Sequence, residues 1–217
     1  MAAFAPVLRA LLHDAAAGRF PPTDNRTETV PAPQGAAAAV LSFAAHHVVA
    51  ADVAATEVDA RLDPGDFNGP LRIGFLAWLA ERTGTVPGSV DVVLARTEAA
   101  TGARLPELRA DEHHRVRRAR AHRDDVRVFG DERGVVVLGR GLAGRLELSM
   151  EVHPHERGGG AGRALIVAAL AAARLEEPVF AQCAAANGAS LRALAAAGFR
   201  PIGAEVLFST RTAPAAE

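Results

Sequence analysis

The chain of 217 residues contains no lysine and no tyrosine, and all 24 of its basic residues are arginines. It has a single cysteine, Cys183. One cysteine excludes an intramolecular disulfide and is compatible with a reducing compartment. Because Cys183 lies in a short apolar run of strand type, we expect it to be a buried structural thiol and not a nucleophile.

An excess of charge of one sign and a long apolar run are also missing. The formal net charge is −1, so the sequence predicts no general attraction to nucleic acid or to an anionic membrane. The alanine-rich N-terminal stretch is interrupted by Arg9, His13 and Asp14, which argues against a signal peptide and against a membrane span. Since 49% of the residues are hydrophobic, we expect a globular, soluble and cytoplasmic protein.

The most informative motif is a glycine-rich loop between an alternating strand and an apolar helix. Arg157 and Arg163 flank this loop, and its four glycines are Gly158, Gly159, Gly160 and Gly162. Glycines leave backbone N–H groups uncovered, and the first N–H groups of a helix have no partner inside the helix, whose dipole is positive at that end. The motif therefore predicts an anion site, most often for phosphate. The alternative is a flexible turn without a ligand.

The spacing of the loop excludes two common phosphate motifs. A P-loop needs a lysine followed by serine or threonine, and here Arg163-Ala164 stands in that place. A dinucleotide fingerprint needs a third glycine where this chain has Arg163. The spacing that fits is Arg-x-x-Gly-x-Gly, formed by Arg157, Gly160 and Gly162.

With this spacing, the chain resembles the GNAT (GCN5-related) N-acetyltransferase superfamily. A second signature follows in the expected order, in which Asn187 precedes about ten residues of helical pattern and then Gly198-Phe199. Asn187 fits the N-cap of that helix, and Gly198 fits the position just after its end. The resemblance covers about residues 112–208.

The resemblance implies an acyl-CoA-dependent N-acyltransferase that uses acetyl-CoA and acts on a small-molecule or peptide amine. It implies that backbone amides of the loop hold the pyrophosphate of coenzyme A, and that an N–H of the preceding strand contacts the thioester oxygen. We expect no metal, because no further cysteine or carboxylate stands at a recognisable ligand spacing from His153 and His155. The residues to which the resemblance assigns the cofactor are Met150, Val152, Arg157, Gly158, Gly159, Gly160, Ala161, Gly162, Arg163 and Asn187.

A general base in this family is often a carboxylate on the strand before the loop. Residues 146–153 alternate, which puts Glu147 and Glu151 on one polar face. Glu151 is the first choice because it is closer to the loop, and the alternative is that both are solvated surface residues. Secondary candidates are His153, His155 and, on the later helix, Ser190.

One position departs from the family. Leu194 stands where the family commonly has a tyrosine that protonates the departing thiolate, and this chain has no tyrosine. A second hypothesis is therefore a coenzyme-A-binding regulatory or scaffold protein without turnover. A third is an interaction domain in which the glycine loop is only a turn. The oligomeric state stays open, with a homodimer among the alternatives.

The pattern of the whole chain predicts a mixed α/β fold, with a mostly antiparallel sheet flanked by helices. We divide it into residues 1–110, an extended N-terminal α/β portion, and 111–217, the GNAT-like domain. Residues 21–33 read as a connection, and 36–53 as a strand with a helix as competitor. The remaining expectations are local. His46-His47 and His113-His114 are expected as surface or helix-end residues. The arginines of 115–123 are expected by default as a solvated face with local ion pairs, and the alternatives are contact with the 3′-phosphate of coenzyme A or binding of an acidic substrate or nucleic acid. The predicted helices span 3–18, 71–82, 111–122, 162–174 and 187–197, and the further strands are 90–95, 126–129, 135–140, 146–152, 178–183 and 204–208.

Overall fold

A computed structural model describes residues 5–32 and 37–210 of the chain. By its packing the chain divides into two units, the first made of residues 1–91 and 203–217 and the second of residues 92–202. The boundary that we predicted lies near residue 110. In the structure, residues 92–110 belong to the same unit as the glycine loop. The part of the last strand from residue 203 onward belongs to the first unit.

The first unit combines a small sheet with helices. Strand β3 pairs with β1 in parallel and with β2 antiparallel, β2 pairs antiparallel with β10, and β4 also pairs antiparallel with β10. A one-turn 3₁₀ helix precedes α3. The elements are α1 (Ala5–Ala16), β1 (Thr27–Val30), β2 (Ala38–Phe43), β3 (His46–Ala50), α2 (Ala55–Asp59), α3 (Ile73–Thr83), β4 (Thr85–Pro87) and β10 (Arg200–Thr210).

Three expectations for this unit need correction. The predicted connection 21–33 contains β1, because its residues add to the edge of β3. The region 36–53 is a hairpin of two strands joined at Ala44-Ala45, and not one strand. His46 and His47 are buried in β3 with 4% and 1% of their surfaces exposed, so the prediction that they are surface residues is wrong. Residues 3–4 of the first predicted helix, and residues 33–36, lie outside the described residues.

The second unit carries the predicted site. Its strands are ordered β5-β9-β8-β7-β6, with β6–β7 and β7–β8 antiparallel and β8–β9 parallel. The mixed, mostly antiparallel sheet with flanking helices that we predicted is confirmed. The elements are β5 (Asp91–Arg96), α4 (His114–His122), β6 (Asp124–Asp131), β7 (Gly134–Arg140), β8 (Leu146–Val152), α5 (Ala161–Ala173), β9 (Val179–Ala184) and α6 (Gly188–Ala196).

Helix α5 anchors the second unit because it is apolar on all sides. Leu165 and Ile166 are fully buried, and they pack in one core with Leu138, Leu148 and Ala181 from the strands. Burying one such side chain contributes about 1.5–3 kcal/mol relative to leaving it in water. The helix therefore holds the loop before it in a fixed position against the sheet.

Helix α6 begins and ends with the caps that we predicted. The side chain of Asn187 accepts a hydrogen bond from the backbone N–H of Ser190 at 3.1 Å. At the other end Gly198 has φ 86°, and the N–H of Phe199 donates to the carbonyl of Leu194 at 3.0 Å. This pairing is a Schellman motif, in which glycine takes the left-handed conformation without a steric cost. Within the described residues, no helix has the length and apolar composition that crossing a membrane requires.

Candidate functional site

The site begins where β8 ends at Val152. A short 3₁₀ turn, Pro154–Glu156, follows the strand, and α5 begins at Ala161. Between them Gly158 and Gly160 adopt φ values of 92° and 85°, a region that other residues enter at a cost of about 1–2 kcal/mol. Glycine is therefore required at these two positions for the chain to turn from the strand into the helix.

The loop presents a row of unused backbone donors. Within the described chain, no backbone N–H from residue 158 to residue 163 makes a hydrogen bond of normal distance and angle, and the first to do so afterwards is that of Ala164, which donates to the carbonyl of Gly160 at 3.1 Å. The last members of the row are also the first N–H groups of α5, where the helix dipole is positive. Such a row can bind a phosphate without any side chain.

The glycines of the loop have two different steric roles. A methyl group added at Gly158, Gly159 or Gly160 meets no atom within 4 Å, so these glycines leave the space in front of the N–H groups open. At Gly162 the same methyl group lies 3.2 Å from Cβ of Ala193 and 3.4 Å from Cε of Met150. Gly162 therefore allows α5 to pack closely on α6 and β8.

Arg157 and Arg163 both extend from the loop, but each has a structural hydrogen bond as well. Nε of Arg157 donates to the carbonyl of Val152 at 3.2 Å, at the end of β8. Nε of Arg163 donates to the carbonyl of Ala196 at 3.0 Å, near the C-terminus of α6. Both side chains are exposed, so their charge adds to the positive potential of the loop while they hold neighbouring carbonyls.

The two parallel strands beside the loop separate at their carboxyl ends. β8 and β9 pair at Leu146 with Val179 and at Glu147 with Phe180, and beyond these residues the two strands run on without pairing to each other. Helix α5 follows β8 and α6 follows β9, so both helices begin at the same edge. A gap between parallel strands at their carboxyl ends is a common place for a ligand.

Side chains from the second signature lie along α6. Asn187, which we predicted to contact the cofactor, is exposed. Its side-chain oxygen accepts the capping hydrogen bond of α6, so its amide nitrogen is the group left for a ligand. Ser190 is partly exposed, and its hydroxyl makes no hydrogen bond within the described residues. Leu194 has only 4% of its surface exposed and packs in the apolar core, so it contributes no acid.

Glu151 lies on the face of β8 opposite to Met150 and contacts the first turn of α4. One of its oxygens, Oε2, is 2.9 Å from Nε2 of His114 and 3.2 Å from Nε of Arg115. Burial alone raises the pKa of the Glu151 carboxyl, but the hydrogen bond from Arg115 and the nearby charges outweigh burial and hold that pKa below its ordinary value. The carboxylate is thus ionised and already paired.

Glu147 has a different environment, although it shares the polar face of β8 with Glu151. Its side chain is 5% exposed, and its two oxygens bind Nε of Arg145 at 2.8 Å and Nε of Arg123 at 2.9 Å. Burial raises the pKa of the carboxyl, but the charges of the two arginines outweigh it and lower the pKa. The alternative of a solvated Glu147 is wrong, because the residue is the centre of a buried ion cluster.

Arg123 also connects the two separating strands. Its Nη1 is 3.2 Å from Oγ of Ser149 on β8, and its Nη2 is 3.5 Å from Oε1 of Gln182 on β9. Arg123 therefore bridges β8 and β9 just beyond their last paired residues, where the two strands begin to separate.

A metal ion was not expected from the sequence, and the structure offers one group of ligand atoms to consider. Atoms of His113, His114 and Glu151 lie within 4.8 Å of one another. However, Arg115 donates to the same carboxylate, and Nδ1 of His113 accepts the N–H of Arg115 at 3.2 Å as the N-cap of α4. These bonds compete with a cation for the same atoms, so the group is better explained as a cap and an ion pair.

Sequence reasoning missed three of the partners in the site. We expected His113-His114 to lie at a surface or helix end, and we expected the arginines of 115–123 by default to form local ion pairs. Local pairs do exist, since Arg117 lies 3.5 Å from Glu112 and Arg120 lies 2.6 Å from Asp111. His114, Arg115 and Arg123 instead reach β8, a contact between distant parts of the chain that periodicity in α4 alone does not reveal.

The solved structures that are similar to part of this chain include three acetyltransferases. An acetyltransferase assigned to the GNAT family from Novosphingobium aromaticivorans DSM 12444 is 18% identical, with a TM-score of 0.41, over 58% of this chain and 66% of its own. A GNAT-family acetyltransferase from Colwellia psychrerythraea is 14% identical, with a TM-score of 0.40, over 63% of this chain and 61% of its own. A GCN5-related N-acetyltransferase from Kribbella flavida is 13% identical, with a TM-score of 0.40, over 61% of this chain and 62% of its own.

This chain thus aligns with less than two thirds of each of those structures. Neither a protein-family model nor a curated protein matches the sequence. At identities of 13–18%, ligand and reaction have to be argued from the chain's own site.

Proposed function

We propose that the unit of residues 92–202 binds an acyl-coenzyme A, with acetyl-CoA as the simplest case, and transfers its acyl group to an amine of a small molecule or peptide. The observation that carries this proposal is the row of free backbone N–H groups from residue 158 to residue 163, at the positive end of α5. A pyrophosphate needs several donors close together, and this row supplies them without a lysine.

The gap between β8 and β9 supports the same proposal. Beyond Glu147, β8 runs on without a partner on the β9 side, so the backbone N–H groups of Met150 and Val152, which alternate with those directed at β7, are available to a thioester lying there. A backbone N–H directed at the thioester oxygen stabilises the charge that develops on that oxygen during acyl transfer. In this arrangement the loop binds the phosphates, and the strand end polarises the reacting carbonyl.

A second candidate is a coenzyme-A-binding protein that does not turn over. The buried Leu194 favours it, because a leucine in the core cannot donate a proton to the leaving thiolate. In the active case that proton comes from water or from the nearby hydroxyl of Ser190. Binding and transfer therefore need separate tests.

Calorimetric titration of the purified chain with acetyl-CoA tests the binding step. We expect saturable binding that Gly159→Val abolishes, because the added side chain occupies the space in front of the free N–H groups. Gly159 is the better position than Gly160, since Gly160 has φ 85° and any side chain there also strains the backbone. At Gly159 the added Cβ meets no protein atom within 4 Å, so the fold is preserved.

The matched control is Gly74→Val. Gly74 is exposed, lies near the start of α3 in the other unit and has no atom within 4 Å of an added Cβ. We expect this variant to bind acetyl-CoA like the wild type. Equal affinity of Gly159→Val and the wild type would contradict the phosphate site, and a wild type that does not bind at all would favour an interaction domain.

Release of free thiol from acetyl-CoA in the presence of a panel of amines separates the two remaining functions. Thiol release that depends on both the amine and the loop supports the transferase. Binding without thiol release for any amine supports the protein without turnover.

A further inference from the structure

His114 and Glu151 form a pair that resembles the acid–base pairs of other enzymes. The distance from Nε2 of His114 to Oε2 of Glu151 is 2.9 Å, within hydrogen-bond range. The carboxylate is mostly covered, with 23% of its side chain exposed, whereas 64% of the imidazole side chain is exposed. The carboxylate is thus inside and the imidazole is outside, toward solvent.

The hydrogen bond determines which nitrogen of His114 can take up a proton. A carboxylate only accepts, so Nε2 must carry the hydrogen, and a neutral imidazole then has its lone pair on Nδ1. Within the described chain, Nδ1 of His114 makes no hydrogen bond. Its ring is stacked on that of His113, with centroids 4.8 Å apart, which holds the orientation further.

The carboxylate itself is a poor proton acceptor in this geometry. Oε2 of Glu151 already accepts from His114 and from Arg115, and protonation of the carboxyl would remove the negative charge that the guanidinium of Arg115 is paired with. The imidazole has no such restriction, and histidine is the side chain that most often acts as a general base near neutral pH.

We propose that His114 is the general base that deprotonates the acceptor amine, and that Glu151 is the residue that positions it. This inference rests on the proposed acyl transfer. Glu151 adjoins both Met150 and Val152, whose backbone groups we assign to the thioester. The pair therefore reaches the strand end where the acyl group would lie, from the side of α4.

Protons and electron pairs balance in this assignment. Nδ1 of His114 takes one proton from the ammonium of the acceptor, and the freed lone pair on nitrogen forms the bond to the acyl carbon. The carbon–sulfur bond breaks, and its electron pair leaves with the sulfur. The nitrogen loses a second proton, sulfur gains one to become the free thiol, and His114 returns its proton to water.

Three further groups influence the pair. Arg115 contacts the carboxylate, His113 stacks on the imidazole, and His153, just after β8, lies within electrostatic reach of His113. Each of the three groups is close enough to influence the rate of the site through its charge or its packing. The test must therefore compare variants and not rely on the wild-type profile alone.

Steady-state kinetics of thiol release test the assignment. We expect His114→Gln to lower kcat by about 100-fold or more at neutral pH, with the KM for acetyl-CoA unchanged, and to remove the acidic limb of the pH profile. Glu151→Gln should lower kcat less, because the imidazole remains. The matched control is His122→Gln, an exposed histidine of the same helix, which should keep the wild-type rate.

A second measurement does not depend on turnover. Nitrogen NMR of ¹⁵N-labelled histidines shows which ring nitrogen carries the hydrogen. We expect the Nε2–H form of His114 in the wild type and a mixture of the two forms in Glu151→Gln, because only the carboxylate fixes the tautomer. A mixture already present in the wild type would overturn the positioning role of Glu151.

The remaining outcomes separate the two proposals. If Glu151→Gln lowers kcat about 100-fold while His114→Gln keeps the wild-type kcat and pH profile, Glu151 is the base and our assignment is overturned. If the wild type binds acetyl-CoA but releases no thiol with any amine, acyl transfer fails and the catalytic role of His114 fails with it. The tautomer measurement then still reports whether the pair exists.

Discussion

Two glutamates four residues apart on β8 show how the surroundings of a residue decide its role. Glu147 is enclosed by Arg123 and Arg145, whereas Glu151 is partly exposed and meets His114 and Arg115. Both carboxyls are ionised, but only the second has an exposed partner that can exchange protons with a substrate. The alternation of β8 predicts their shared face. It does not predict what packs on that face, because the partners come from α4 and from the residue that follows it.

Strain at single residues also has a measurable consequence. The hairpin between β2 and β3 turns at Ala44 and Ala45, with φ values of 44° and 68°. Two-residue hairpin loops of this kind favour asparagine and glycine, because alanine in the left-handed region is strained by contact of its Cβ with the backbone. Ala44 is exposed, so its methyl group contributes little packing in return.

We predict that Ala44→Gly raises the free energy of unfolding by about 0.5–1 kcal/mol, since the relief of strain exceeds the entropy gained by the unfolded chain. The matched control is Ala10→Gly, in the exposed part of α1, which should lower it by about 0.5–1 kcal/mol. Urea unfolding followed by the fluorescence of Trp78, the single tryptophan, measures both. A loss of stability in Ala44→Gly would contradict the strained turn.

At the scale of elements, the sequence indicated the helices and most strands because their periodicity is local. β8 and α5 lie within one residue of the predicted bounds, and the caps of α6 were readable from Asn187 and Gly198. β1 was missed because four residues between prolines carry almost no pattern. Its strand conformation comes from parallel pairing with β3, which only the tertiary fold supplies.

The ion cluster joins elements that are distant in sequence. Arg123 follows α4, Glu147 lies on β8, and Gln182 lies on β9. Removal of the carboxylate from such a cluster leaves buried guanidinium groups without its compensating charge, which typically costs about 3–5 kcal/mol. Replacing all the charged residues of the cluster by apolar ones would leave no unpaired buried charge. The loss of stability therefore comes from removing one partner and leaving the others buried.

We therefore predict that Glu147→Ala lowers the stability of the second unit by about 3–5 kcal/mol. Amide hydrogen exchange of the peptides that contain β7, β8 and β9 measures the change. Glu176→Ala, at an exposed position before β9, is the control and should change the exchange by less than about 0.5 kcal/mol. Equal exchange in the two variants would show that the cluster contributes no net stability.

At the scale of the molecule, the site is contained in the unit of residues 92–202. The loop was predictable, because glycine content and helix onset are written in neighbouring residues. The pair of His114 and Glu151 was not predictable. It forms where α4 meets the far end of β8, and Glu151 comes about 37 positions after His114 in the chain. The proposed phosphate site of the backbone thus depends on local sequence, whereas the proposed acid–base pair depends on the tertiary fold.

The first unit gives a prediction about pH for the stability of the protein. His47 is buried in β3, where neither ring nitrogen has a hydrogen-bond partner within the described residues, and burial lowers the pKa of its imidazole below the ordinary 6.5. Just below pH 6.5 the unfolded chain therefore binds a proton that the folded chain does not. The stability that comes from this lowered pKa of His47 is fully present above that pH. The free energy of unfolding then falls as the pH drops toward the folded-state pKa.

We predict that urea midpoints measured by the fluorescence of Trp78, which belongs to the same unit, fall between about pH 6.5 and pH 5.5 and are flat from about pH 6.5 to pH 7.5. His47→Leu should remove most of this slope, because leucine cannot take up the proton. His122→Leu, at an exposed position of the other unit, should keep it. The carboxyl of Asp24, which pairs with His46, has a pKa lowered from 3.8, chiefly by the hydrogen bond with His46, so it titrates below this window. A wild-type midpoint that does not change over this range would mean that His47 is not held neutral by burial.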